Sequence, residues 1–295
     1  MRDRDRASED EANGAGGAEV RARLLFGILL LTWLLLVAAP LIRGIPPLVG
    51  GITLTVLFAA AVLATAALAG RLQLSPTVEA LGMLMCFGAW FVLADVAAEG
   101  DAVRLLTVPG ADVIFLFGCV LGGRLLSRIL RERNLMLPIA LVLALADVFT
   151  VLMGPTRAML ERAPEVVTRL SVKLPQVGSA AGPEGVKGLA HIATMGPGDL
   201  VFAALFFACV VRFGLNLRAS FWWIFAAVAL GLAAIVVIPG APPLPVLPLM
   251  ALGFLIANRG SFSLTAREKR DLVIALAFLI VLFAGLGYLT RALVP

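Results

Sequence analysis

The chain is poor in the groups that most enzymes use. Among 295 residues there is one histidine, one tyrosine and three cysteines, and only 15% are charged. The cysteines, Cys86, Cys119 and Cys209, lie inside apolar runs without metal-ligand spacing, so neither a disulfide frame nor a zinc site is expected. The lone histidine, His191, borders an apolar run and reads as interfacial rather than catalytic. No internal repeat is visible. Scarce charge also means that little of the surface can face water: 61% of residues are hydrophobic and the mean hydropathy is +1.01. No water-soluble fold of this length buries so much apolar side chain, so lipid is the main solvent. The net charge of +5 does not point to nucleic acid, because Lys and Arg fall in short polar gaps between apolar runs, as at membrane flanks.

What the chain has in abundance is long apolar runs. They span Leu24 to Ile42, Leu48 to Ala69, Val78 to Ala98, Leu105 to Gly122, Leu135 to Met153, Leu189 to Val211, Ser220 to Ile238, Leu244 to Ala257 and Leu272 to Thr290. Most approach the roughly 20 residues that cross a bilayer as helix. The expected fold is therefore all-α, a polytopic bundle of about nine transmembrane helices. Residues 1–23 are charged, rich in Gly and Ala and without periodicity, and read as a disordered tail. Residues 24–134 form the N-terminal transmembrane helices. A core at 135–257 includes a long loop, 154–195, and 258–295 supply a last helix. The first run ends in "VAAP", but its length and the eight runs behind it favour a retained anchor over a signal peptide.

Basic residues set the expected orientation. Arg2, Arg4, Arg6, Arg21 and Arg23, then Arg124, Arg128, Arg131 and Arg133, then Arg259, Arg267, Lys269 and Arg270 all fall on one side; the opposite short loops carry little beyond Arg43, Arg104 and Arg291. The N-terminus is accordingly placed in the cytoplasm of a bacterial cell and the C-terminus outside its membrane.

Acidic residues within or beside the runs are few: Glu79, Asp95, Asp112, Asp147 and Asp199. An ionisable group at bilayer depth is costly unless paired, hydrated or protonated, so each is a candidate for function. Glu79 and Asp95 lie near run ends, where reaching the headgroups is the simpler role. Asp112 follows Pro109 and Gly110 and either caps a helix broken there or acts in a site. Asp147, in "LALADVFTVLM", lies roughly 18 Å along its helix from Leu135 at 1.5 Å per residue, well inside the bilayer. Asp199 stands behind Gly196, Pro197 and Gly198. If consecutive spans are antiparallel, Asp147 and Asp199 reach a similar depth and form a pair.

Two carboxylates close together in low dielectric share a proton and so provide one acid and one base. Such a pair activates water against an amide carbonyl and protonates the leaving nitrogen. Gly196 and Gly198 leave room for close approach, and Pro197 prevents an earlier helix start. The dipole at that start favours an anion, which assigns Asp199 the ionised role and Asp147 the protonated one. Farther on, Pro242, Pro243, Pro245 and Pro248 remove backbone donors, so this span begins irregularly, which at membrane depth requires cover by protein or a wet cavity. In the long loop, "TRLSVKLPQ" alternates Leu170, Val172 and Leu174 with polar neighbours, the pattern of a strand or of an amphipathic surface segment.

Gly196-Pro197-Gly198-Asp199 resembles the GxGD motif of the presenilin and signal peptide peptidase family of intramembrane aspartyl proteases. "ADVFTV", Ala146 to Val151, resembles that family's first-aspartate motif, and Pro245-Val246-Leu247-Pro248 its PALP motif, in the family's order. The resemblance covers roughly Leu135 to Ala257. Ala146 stands where the family usually has tyrosine, Val246 where it has alanine, and one run follows the proline motif where the family has none. The resemblance implies a presenilin-like helical bundle in which Asp147 and Asp199 activate water, Pro245 to Pro248 shape the site, and neither metal nor cofactor is used. The implied substrates are transmembrane helices or signal-peptide remnants within the bilayer. Other readings of the same carboxylates are a prepilin-peptidase-like protease, whose motif is usually followed by lysine, and a proton-coupled transporter. Oligomeric state is not legible.

Overall fold

The computed structural model describes residues 2–96, 101–152, 170–178, 191–237 and 245–293. Nine α-helices are found among them: α1 Arg2–Ala38, α2 Pro47–Gly70, α3 Pro76–Val96, α4 Asp101–Ser127, α5 Met136–Leu152, α6 Pro197–Arg212, α7 Leu217–Val237, α8 Leu247–Ala257 and α9 Ala266–Leu293. Two short strands, β1 Val172–Pro175 and β2 His191–Met195, pair antiparallel, with Val172 opposite Met195 and Leu174 opposite Ala193. The fold is all-α apart from this ribbon. The residues 154–169, 179–190, Pro242 and Pro243, on which part of the loop and proline reading rests, lie outside the described residues, as does the side chain of Asp95.

Six helical stretches are long and apolar enough to cross a membrane: Gly16–Leu41, Leu48–Gly70, Pro76–Leu93, Val103–Ser127, Arg133–Val151 and Leu217–Ala234. The chain is thus a membrane protein by the length and composition of its helices. The expected sixth span, Leu189 to Val211, is helical only from Pro197. Its first part is strand β2, because proline at the first helical position fixes the helix start and leaves the short apolar run before it extended. The eighth is an 11-residue helix that begins only at Leu247, inside the proline-rich stretch. At the other extreme, α1 begins at Arg2 although composition suggests a tail without regular structure. Arg, Ala and Glu favour helix, and Arg23 pairs with Glu19 one turn away.

Helix α6 is the hub. Leu200 and the unbroken run Ala203 to Val210 are buried, so the helix is enclosed on all sides by neighbours from α2, α4, α7 and α8. Close approach needs small residues. A Cβ at Gly123 of α4 would lie 2.1 Å from the Val201 carbonyl oxygen, and one at Gly253 of α8 would lie 2.8 Å from the Ile224 backbone of α7. Phe206 stacks on Phe254 with ring centroids 4.9 Å apart, tying α6 to α8. At the far end of α8, Asn258 accepts from the Asn216 N–H and donates to Ser220, fastening α8 to the start of α7. Outside this core, α9 carries many exposed apolar side chains, among them Val273, Phe278 and Val281, and meets α5 through Phe283 stacked on Phe149 at 4.7 Å.

Candidate functional site

Asp199 is the third residue of α6. Gly196 is the N-cap, with extended backbone at φ −72° and ψ 161°, and Pro197 holds the first position. From its third place the Asp199 carboxylate turns back toward Gly196, with Oδ2 3.8 Å from where a Cβ on that residue would lie. Neither Gly196 nor Gly198 has a positive φ, so conformation does not demand glycine. Beside Gly198 the space is open, since a Cβ there would meet nothing within 4 Å. Strand β2 runs into Gly196 directly, so the ribbon and the start of α6 form one continuous backbone.

Asp147 lies five residues before the end of α5, on the second side of the same site. Its Oδ2 accepts the Leu247 N–H at 3.0 Å, the first N–H of α8. The proline stretch explains why that N–H needs an outside partner. The first N–H groups of any helix lack one within it, no side chain caps α8 locally, and Pro248 has no N–H to offer. Asp147 therefore caps a helix a hundred residues away in sequence. Asp199 lies in the field of the Asp147 carboxylate, and both are partly buried.

This arrangement removes the basis for one expectation. The helix dipole was taken to single out Asp199 as the anion, yet Asp147 also faces a helix N-terminus, that of α8, so dipoles do not distinguish the two. Of the nine residues expected to form the site, Asp147 and Leu247 are joined by a hydrogen bond, Gly196, Gly198 and Asp199 share the first turn of α6, and Pro197 sets its start. Pro245 and Val246 lead into α8, and Pro248 is its second residue. Among the described residues no group of His, Cys, Asp or Glu could hold a metal ion.

The remaining buried acids are accounted for separately. Asp112 does not cap a broken helix: α4 continues through Pro109, and Asp112 Oδ2 instead accepts the Lys173 N–H of β1 at 3.3 Å. It pins the ribbon to α4, a role invisible in the sequence because 61 residues separate the partners. Glu79 does not reach toward solvent. It is fully buried, with Arg124 at 2.6 Å from Oε1 and Arg128 at 2.7 Å from Oε2. The signal available was Arg124 itself, a cation closing an apolar run one helix away.

Comparison with protein-family models, with curated proteins and with solved structures finds no match to this chain.

Proposed function

We propose that this protein is an intramembrane aspartyl endopeptidase, a nine-span bundle of presenilin and signal peptide peptidase type with its N-terminus in the cytoplasm. The observation that carries the reading is that two partly buried acids stand at helix starts within electrostatic reach: Asp147 accepts the first N–H of α8, and Asp199, in the first turn of α6, lies in the field of Asp147. Helix starts favour the carboxylates without supplying the full positive charge that would lock both as anions. A shared proton then gives one acid and one base. The base draws a proton from water as its oxygen attacks the scissile carbonyl. The acid protonates the nitrogen as the C–N bond breaks. The segment Pro245 to Pro248 contributes through Leu247, whose N–H orients Asp147.

The substrate is a transmembrane helix or signal-peptide remnant that must unwind to expose its amide. Strand addition to the ribbon is the matching mode of capture. Asp112 occupies the N–H of Lys173 on the side of β1 away from β2, so the β2 side, which leads into Gly196, is the edge that fits.

The deciding experiment is cleavage of a fluorogenic transmembrane peptide in liposomes by the wild type, Asp147→Ala and Asp199→Ala. Product from the wild type alone is expected. Equal product from all three would overturn the protease reading, and proton-coupled solute flux lost in both variants would put a transporter in its place.

A further inference from the structure

At the end of the bundle opposite the aspartates, where α2 and α6 finish and α3 begins, lies an open cavity of about 520 Å³. Arg124, Arg128, Arg212 and Glu79 line it, together with the small residues Gly70 and Ser127. Glu79 is shared by two guanidinium groups, and Arg212 takes no carboxylate among the described residues: its Nη1 donates to the Ser127 carbonyl at 2.7 Å. Three cations therefore face one anion. The C-terminal dipoles of α2, α4 and α6, each roughly half a charge, offset part of the excess, and the N-terminal dipole of α3 restores some, so the cavity stays positive.

The donors are also incompletely used. Arg124 bonds through Nε to Glu79 and through Nη2 to Glu79 and the Leu72 carbonyl; Arg128 bonds through Nε to Glu79 and through Nη2 to the Leu74 carbonyl. That fixes both forks by two nitrogens each and leaves Nη1 of both, with Nη2 of Arg212, without a partner among the described residues. A guanidinium held in this way is pre-ordered for bidentate contact with a phosphoryl group. Arg124 is 6% exposed, so its charge is shielded little by water and gains most from a second anion.

We propose that this cavity binds a phosphoryl anion, with the headgroup phosphate of an anionic lipid as the occupant, gripped by Arg128 and Arg212 over the Glu79–Arg124 pair. Its position at the helix ends, with apolar Ala208 and Val211 in the wall, suits a ligand that is charged at one end and oily at the other. The proposal does not depend on the protease reading.

The test is thermal unfolding of the full chain in neutral detergent, titrated with phosphatidylglycerol, with phosphatidylcholine and with inorganic phosphate. Phosphatidylglycerol is expected to raise the midpoint by several degrees and to act at about tenfold lower mole fraction than phosphatidylcholine. Arg128→Gln and Arg212→Gln, which leave Glu79 and Arg124 paired, should each weaken that response about tenfold, as loss of one charge-assisted contact does. Arg259→Gln should leave it unchanged. If inorganic phosphate alone raises the midpoint, the occupant is a soluble anion; if only the lipid does, it is a headgroup. An equal response to both lipids, or a full response in the double Gln variant, would overturn the site.

Discussion

The two ends of this bundle hold buried acids in opposite ways. At one end Glu79 is answered by two arginines through three short contacts, and it is completely covered. At the other, Asp147 receives the first N–H of α8, Asp199 sits in the first turn of α6, and neither has a salt bridge to a cation among the described residues. A carboxylate saturated by guanidinium stays an anion and serves as a rivet. A pair held only by amide dipoles is free to pass a proton between its members, and in a low-dielectric site that freedom is the useful property. Burial alone therefore does not mark function; the nature of the partner does.

The contrast can be broken most directly at the aspartates. Asp147→Asn and Asp199→Asn should each lower peptide cleavage by at least about 10²-fold to 10⁴-fold, the range of general acid and base catalysis. Because asparagine keeps the size of aspartate, and at position 147 still accepts the Leu247 N–H, unfolding free energy should change by less than about 1 kcal/mol. A loss of stability matching that of a Glu79 variant would erase the distinction. Glu79→Ala should show the reverse pattern, losing about 3–5 kcal/mol in chemical unfolding in mixed micelles because Arg124 is left buried without its anion. The cleavage rate per folded molecule should hold.

Gly123→Ala tests the link between the ends, since the added methyl would press on the Val201 backbone two residues beyond Asp199. A cost of about 1–3 kcal/mol is expected, with slower cleavage by the molecules that remain folded. The smallest effect is at the start of α9, outside its apolar stretch. There the Thr265 N–H and hydroxyl hold the exposed Glu268 carboxyl below its ordinary 4.5. Since the folded value is depressed, the cap contributes above pH 4.5 and is lost as pH falls through that lower value. The protection factor for amide exchange in the first turn of α9, corrected for the intrinsic pH dependence of exchange, should hold from neutral pH down to that point and fall below it, and Thr265→Ala should remove the step.

Much of this organisation was legible from local pattern. The run lengths gave the helical class, and Pro197 behind Gly196 marked where α6 begins. What escaped were features set by partners distant in the chain. Leu189 to Met195 reads as the front of a span because a short apolar run does not reveal whether it is helix or strand; only pairing with Val172 to Pro175 makes His191 to Met195 strand. Asp112 reads equally as a cap or a site residue because Pro109 suggests a break, yet α4 continues through that proline. Glu79 and Arg124 are 45 residues apart, and no periodicity joins them. Asp147 was recognised as a buried acid, but its place at the head of α8 follows from tertiary contact alone.

That last contact has a consequence in time. Helix α5 is made well before α8, so a chain still being synthesised carries Asp147 and then Asp199 without the Leu247 amide that orients the first of them. The nascent protein passes through membrane insertion, among other unfolded spans, with its pair unassembled. The hydrogen bond that orients Asp147 forms only when the proline segment follows and α8 takes up its seat.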